Sequence, residues 1–173
     1  MSNPLNSPLE VGMRVLMILV EAFPAHLDIN RLVLLDHGLL HSADLNGPES
    51  LHPPIPVRVG ELGVKRQHIE DGLHVMIRAG LAEMSAEDSV IEFWASESSE
   101  SFLKLLESEY ARALHDRAHW VVEELGAVDD ARLRERMREI SSHWAEEFEV
   151  MQYESGNDMA DSSGERKELC ELL

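Results

Sequence analysis

Nine histidines are the side chains in this sequence that are best suited to metal binding. His37 and His41 lie four residues apart. His115 and His119 have the same spacing, which on a helix puts two rings on one face. The pattern is nevertheless weak, because neither an HExxH motif nor a cluster of cysteines accompanies it. We predict a structural or surface role for both pairs and expect neither a metal nor another cofactor.

Other catalytic chemistry lacks the residues that would perform it. The only cysteine, Cys170, lies near the C-terminus in a stretch of disorder-type composition, where no fixed base would activate its thiol. No serine lies in a G-x-S-x-G elbow, and the glycine patterns that bind phosphate groups do not occur. Carboxylates are too numerous to single out an acid–base pair. The sequence therefore predicts a protein that is not an enzyme.

The charge balance favours a protein partner over a nucleic acid. The 173 residues carry 33 acidic and 15 basic side chains, a formal net charge of -18. A protein that binds nucleic acid by itself usually needs lysines and arginines to replace the counterions of the phosphates. No apolar run approaches the roughly 20 residues of a membrane span, and no leader sequence is recognisable. Together with the single cysteine, these features predict a cytoplasmic protein without membrane contact.

Local signals define the elements that would position these side chains. Residues 7–10, Ser-Pro-Leu-Glu, form the pattern of a capping box and begin a helix that is apolar on nearly every side from Val11 to Phe23. Such a helix must be buried, and Pro24 ends it. Asp28 is placed to cap a second helix. A third helix, amphipathic, is expected from about Val64 to Ala79.

A proline-rich loop and a short hairpin complete the predicted core. Residues 46–58 hold four prolines, which forbid regular structure and predict an extended, ordered loop. Gly80 ends the third helix, and segments 81–84 and 90–94 have strand character on either side of a polar turn. This order of elements is typical of a winged-helix domain, although any small α+β domain can show it. We predict a mainly α (α+β) fold with a winged-helix-like core over residues 1–96.

Further helices and a tail are predicted after this core. A long helix is expected from Ser99 to Leu125, and Asp129 is placed to cap a last helix. The apolar residues of that last helix repeat at coiled-coil spacing and are Leu133, Met137, Ile140 and Trp144. Their stripe either packs on the protein's own core or buries a helix of a partner. We assign residues 97–153 to the C-terminal helices and 154–173 to an acidic, flexible tail.

A small basic cluster keeps an alternative function open. Lys65, Arg66 and His68 lie in the helix that a winged-helix protein inserts into the major groove, and Arg58 precedes them. These four residues are candidates for nucleic-acid contact. Acidic residues dominate the hairpin, however, where a DNA-binding wing usually carries cations. The alternative is a winged-helix transcription regulator that binds DNA as a dimer.

Longer motifs in the first part of the chain carry a family resemblance. They are segments 5–8, 31–45, 48–56 and 60–62, followed by residues 69, 72–73 and 79–81. Together with the long helix, they resemble the middle component of bacterial ABC-three-component systems, of the Lamassu kind. The resemblance spans about residues 5–125 and does not extend beyond Gly126.

This resemblance implies a non-catalytic accessory subunit of an anti-phage or anti-plasmid defence system. Such a subunit bridges an SMC/Rad50-like ABC ATPase and an effector, often a nuclease, and meets DNA only through the complex. No catalytic residue belongs to this component, so the resemblance transfers none.

Segments 36–45 and 52–56 are our candidates for a contact surface, because their composition predicts a defined loop. The residues expected at the partner interface are Asp36, His37, His41, Asp44, His52, Pro53 and Pro54, together with the stripe of the last helix. The alternative is that these residues only shape the fold. An antitoxin-like inhibitor, whose acidic tail folds on a toxin, is a further possibility.

Overall fold

A computed structural model of the protein describes residues 7–53, 61–87, 90–129, 131–133, 135 and 139. The tail predicted at 154–173 lies outside these residues, as do Pro54, Arg58 and most of the stripe on the last helix.

The first helix, α1 (Pro8–Ala22), begins as its sequence predicts. The Ser7 hydroxyl accepts a hydrogen bond from the Glu10 amide at 3.3 Å, and the helix ends before Pro24. Its middle is buried on nearly all sides, and this burial includes the guanidinium of Arg14. Later helices pack around α1, which therefore lies at the centre of the fold.

A two-residue strand, β1 (Leu27–Asp28), precedes the second helix, α2 (Ile29–Leu40). The Asp28 carboxylate accepts a hydrogen bond from the Arg31 amide at 2.9 Å, which confirms the predicted cap. Every residue of α2 from Arg31 to its end is buried. A short 3-10 helix (Ser42–Leu45) follows and ends at Asn46, whose φ of 60° is left-handed.

The third helix, α3 (Glu61–Arg78), crosses α1 at a pair of glycines. A Cβ atom added to Gly72 would lie 2.6 Å from the Gly12 amide nitrogen. One added to Gly12 would lie 2.7 Å from the Gly72 carbonyl oxygen. Since no real Cβ atom approaches backbone so closely, only glycine at both positions permits this crossing.

The end of α3 confirms the glycine cap that the sequence predicts. Gly80 has a φ of 71°, in the left-handed region. The Leu81 amide donates to the Met76 carbonyl at 2.9 Å, and the Gly80 amide donates to the Ile77 carbonyl at 3.0 Å. These two bonds form a Schellman motif, which turns the chain from α3 into the hairpin.

The predicted hairpin consists of β2 (Ala82–Glu87) and β3 (Val90–Ala95), and β1 pairs with the other edge of β3. The antiparallel sheet has the order β1-β3-β2. Because Phe93 pairs with Met84 and Ala95 pairs with Ala82, apolar side chains share one face, and Phe93 and Ala95 are buried. Sequence analysis missed β1, since two residues are too few to display a strand's alternation.

The single long helix predicted from Ser99 to Leu125 is wrong, because the structure has two helices there. The first, α4 (Ser99–Leu103), is short, and α5 (Glu109–Leu125) begins after Ser108, whose hydroxyl accepts from the Ala111 amide at 3.1 Å. Apolar residues keep a helical spacing across the break, and this spacing conceals it. Beyond α5, the Asp129 carboxylate accepts from the Ala131 amide at 2.8 Å, which is the cap predicted for the last helix.

One hydrophobic core joins all these elements, and the mainly α (α+β) fold class is confirmed. Leu16 of α1 and Ile69 of α3 are fully buried in it, and so are Val121 of α5 and Leu133 from the start of the last helix. The core therefore contains residues from both sides of position 96.

We expect Gly72→Ala to destabilise the protein by about 1–3 kcal/mol. The added methyl group meets backbone atoms of α1, which cannot rotate away, and this effect outweighs the roughly 1 kcal/mol that alanine gains in helix propensity. Urea unfolding would measure the change. His74→Ala, at an exposed position on the same helix, is the control and should stay within about 0.5 kcal/mol of wild type. Unchanged stability of Gly72→Ala would disprove the close crossing.

Candidate partner-binding site

Asp36 on α2 is a buried carboxylate that pairs with cations from two other helices, and we call these three groups the Asp36 centre. Asp36 itself has no exposed surface. Arg14 of α1 donates from Nε to Oδ1 at 2.8 Å and from Nη2 to Oδ2 at 3.4 Å. Lys65 of α3 brings its Nζ to 3.2 Å from Oδ2. Asp36 therefore joins α1, α2 and α3 through charge-assisted hydrogen bonds.

The two cations keep Asp36 ionised in spite of its burial. Removal from water alone would raise the pKa of this carboxyl group, but the charges of Lys65 and Arg14 outweigh that effect and lower the pKa to about 2. Burial likewise opposes the charged form of Arg14, yet the carboxylate of Asp36 leaves the arginine pKa raised. Asp36 and Arg14 are therefore both charged at neutral pH.

A row of aromatic rings leads from this centre to the surface. The ring centroids of His37 and His41 are 4.8 Å apart, and those of His41 and His52 are 6.5 Å apart. His52 then stacks on Tyr110 of α5, and its Nε2 lies 2.9 Å from the tyrosine hydroxyl oxygen. His37 is 7% exposed and Tyr110 is 37% exposed, so the row runs from the interior of the domain to its surface.

The inner histidines are held neutral. Burial, followed by the charge of Lys65, lowers the pKa of His37 to about 3 and that of His41 to about 4. In the described part of the chain, the buried Nε2 of His37 has no hydrogen-bond partner. A positive charge on either ring would be buried and would lie near the cation of Lys65, so the neutral form is favoured.

The loop at residues 41–53 contains His41 and His52 of this row and is fixed at several points. The Ser42 hydroxyl donates to the Pro48 carbonyl at 2.8 Å. Arg117 of α5 donates to the Glu49 carbonyl from Nε at 3.1 Å and from Nη2 at 2.8 Å. Amides near its end also bond back to α2. Over residues 46–53 the loop backbone is therefore held by both α2 and α5.

Gly47 and Trp120 add a steric constraint to the same loop. A Cβ atom on Gly47 would lie 2.2 Å from a ring carbon of Trp120 on α5, so the indole packs directly on the loop backbone. Any residue other than glycine at position 47 would place its Cβ atom in overlap with the indole ring. Trp120 therefore restricts the loop backbone at this position.

The interface residues predicted from the sequence divide between interior and surface. Asp36, His37 and His41 are buried in the isolated chain, and the His41 ring contacts His52 of the loop. Asp44 and His52 are half-buried and Pro53 is exposed, so these three are accessible. Leu133 is buried in the protein's own core. The remaining predicted interface residues lie outside the described part of the chain and are Pro54, Met137, Ile140 and Trp144.

The predicted nucleic-acid cluster is engaged within the chain. Lys65 contacts Asp36, and Arg66 donates to Glu70 at 3.0 Å and to Asn30 at 2.9 Å. His68 is half-buried, and Arg58 lies outside the described residues. Two of the cluster's cations therefore already have acceptors in their own domain.

Sequence reasoning missed Arg14, Tyr110 and Arg117 as parts of this site. A lone arginine inside an apolar helix is a recognisable signal, because a buried cation requires a countercharge. Nothing in the sequence indicates that Tyr110 and Arg117 reach the loop, since their partners lie 58 and 68 residues away.

The arrangement fixes the loop backbone, and its buried side chains are not suited to acid–base chemistry near pH 7. Across the described ranges, no group of three or more His, Cys, Asp or Glu side chains could hold a metal ion. The charged centre is enclosed, and the inner histidines stay neutral well below pH 7 because their pKa values are about 3 and 4. Within the described ranges, moreover, no helix has both the length and the apolar composition that crossing a membrane requires.

The fold and the site define a small α+β domain that carries an ordered, partly exposed loop on a salt-bridged centre. The family model of the ABC-three component (ABC-3C) system Middle Component 2 matches residues 4–147. The chain therefore belongs to this family. The match continues past Gly126, where the resemblance seen in the sequence stops. Comparisons with curated proteins and with solved structures found no match.

We expect Asp36→Asn to destabilise the protein by about 3–5 kcal/mol, because it removes the carboxylate that balances two cations. Urea unfolding at neutral pH would measure the loss. Asp44→Asn makes the same chemical change at a half-buried position and should cost less than about 1 kcal/mol. If both variants were equally stable, Asp36 would not be the structural centre.

Acid should destabilise the protein well before its carboxylates protonate. The pKa of His37 falls from 6.5 to about 3 on folding, so between these values the unfolded chain binds a proton that the folded chain does not. Stability therefore falls as the pH falls, by roughly 2 kcal/mol between about pH 6.5 and about pH 5 for this residue. His41 acts in the same direction.

The variant His37→Phe tests this pH dependence. Urea midpoints measured at several pH values should show an acid loss that is smaller than wild type by roughly 2 kcal/mol over the same window. His74→Phe replaces an exposed histidine and should retain the wild-type loss. An unchanged acid limb in His37→Phe would contradict the assignment.

Proposed function

We propose that this protein is the non-catalytic bridging subunit of a Lamassu-type defence complex that acts against phages or plasmids in the cytoplasm. It couples an SMC/Rad50-like ABC ATPase to an effector nuclease. The observation that carries this proposal is the match of residues 4–147 to the ABC-3C middle component family. DNA contact is indirect, through the complex.

The order of elements supports a winged-helix-like core for this subunit. The chain runs α1-β1-α2-α3-β2-β3, and β1 lies beside β3 at the edge of the sheet opposite β2. Winged-helix domains share this order, and they serve in protein contacts as well as in DNA binding. The enclosed Asp36 centre favours the first use, because it withdraws Lys65 from the surface of α3.

The loop at residues 41–53 is the surface that we assign to the ATPase or the effector. Its backbone is fixed by Arg117, Trp120 and its own hydrogen bonds before any partner arrives. A preorganised surface loses little conformational entropy on association, which favours affinity and a single binding geometry. The accessible side chains Asp44, Glu49 and Pro53 would meet the partner first.

The charge distribution disfavours the rival function of a DNA-binding regulator. A formal net charge of -18 repels phosphates, and release of counterions requires free lysines and arginines. Lys65 and Arg66, the residues best placed for such contact, already pair with acceptors in the chain. An acidic surface complements basic patches on a protein and speeds association with them.

Co-expression with the ABC ATPase and the third component of the same system tests the proposal. We expect a stable complex on size-exclusion chromatography, and we expect Glu49→Lys to weaken it by about tenfold in Kd, a change of about 1.4 kcal/mol. Glu124→Lys makes the same charge change at an exposed position outside the loop and is the matched control.

Two results would count against the bridging role. One is a wild-type chain that elutes apart from both other components. The other is a purified chain that binds duplex DNA alone with a steep salt dependence, which would instead support the regulator.

A further inference from the structure

A second surface feature is a groove of about 900 Å³ that lies between the end of α1, the end of β3 and the segment that includes α4 and the start of α5. Met17, Val20 and Leu103 contribute apolar side chains to it. Phe23 also lines the groove and is 69% exposed, although it is large and apolar. Exposed aromatic side chains beside an apolar floor are typical of protein-binding hot spots.

The rim of this groove is acidic. Five carboxylates line it against one lysine and one arginine. The lysine, Lys104, is already paired with Glu100 at 2.7 Å. Glu21 is held in place by His119, whose Nδ1 lies 2.8 Å from a carboxylate oxygen. The groove thus combines an apolar floor with a surplus of negative charge at its edges.

We propose that this groove binds a cationic amphipathic segment of a partner protein. Apolar side chains of that segment would cover Phe23 and the floor, while its lysines and arginines would lie along the rim. Charge complementarity carries this choice, because an acidic or neutral segment would leave the rim carboxylates uncompensated on burial. A neutral small molecule would leave them equally uncompensated.

The identity of the groove's occupant rests on the proposed bridging function. A subunit that bridges an ATPase and an effector needs two separate contact surfaces. The loop at residues 41–53 provides one of them, and the groove shares no residue with that loop. The occupant is therefore a cationic segment of the component that the loop does not contact.

Photo-crosslinking identifies the occupant. With p-benzoylphenylalanine in place of Phe23 in the complex of all three components, irradiation should join position 23 to one partner peptide that contains apolar residues and at least two lysines or arginines. The same label in place of Leu9, which is 60% exposed and does not line the groove, is the control and should not capture that peptide. A cross-link to an acidic peptide, to a second copy of this chain, or to nothing would overturn the inference.

Binding measurements give an independent readout. The double variant Phe23→Ser with Glu97→Lys changes exposed residues only and should raise the Kd for the cationic partner by at least about tenfold. The matched control, Leu9→Ser with Glu124→Lys, should bind as wild type does. If the wild-type chain forms no complex at all, the proposed function fails. If the complex forms and the double variant binds as tightly as wild type, only the groove inference fails.

Discussion

The ion pair between Asp36 and Arg14, which Lys65 joins from a third helix, is the interaction on which the arrangement of α1, α2 and α3 depends. A buried ion pair adds little net stability over an apolar alternative, because desolvation of both groups offsets most of their attraction. Its effect is geometric. Only one registry of the three helices lets both cations reach one carboxylate, and wrong registries leave a charge buried without compensation. The close approach of Gly12 and Gly72 acts in the same direction, since α1 and α3 can meet that closely at one place only.

The same centre determines the character of the surface above it. Because burial and then the charge of Lys65 lower the pKa values of His37 and His41, these rings remain neutral and pack as core residues. The His41 ring contacts His52, and the Nε2 of His52 lies within hydrogen-bond distance of the Tyr110 hydroxyl on α5. The loop at residues 41–53 is therefore held by hydrogen bonds to α2 and by contacts with α5. A change in the backbone of this loop would have to disturb that packing.

Local chemistry accounts for what could be predicted from the sequence. Ser7, Asp28 and Gly80 act within a few residues of themselves, and each forms the cap that its position indicates. The hairpin follows from strand patterns that flank a polar turn. The contacts of Asp36 could not be predicted in the same way, because its partners lie 22 and 29 residues away on other helices. Its surroundings in α2 even suggested a surface, whereas every residue from Arg31 to Leu40 is buried. The break before α5 was missed because one serine cap competes weakly against a continuous apolar period.

Burial of cations also shapes the electrostatic field that a partner meets. The chain has only 15 basic side chains, and Arg14, Arg31 and Lys65 are enclosed or nearly so. Arg31 donates to the carbonyls at the end of α5, at 2.6 Å to Leu125 and 2.8 Å to Gly126, where the helix dipole is negative. Among the described residues these enclosed cations outnumber the one buried carboxylate, that of Asp36, so burial removes more positive than negative charge from the surface. The described surface is thus more acidic than the composition alone suggests, and such a field attracts basic surfaces and repels acidic ones.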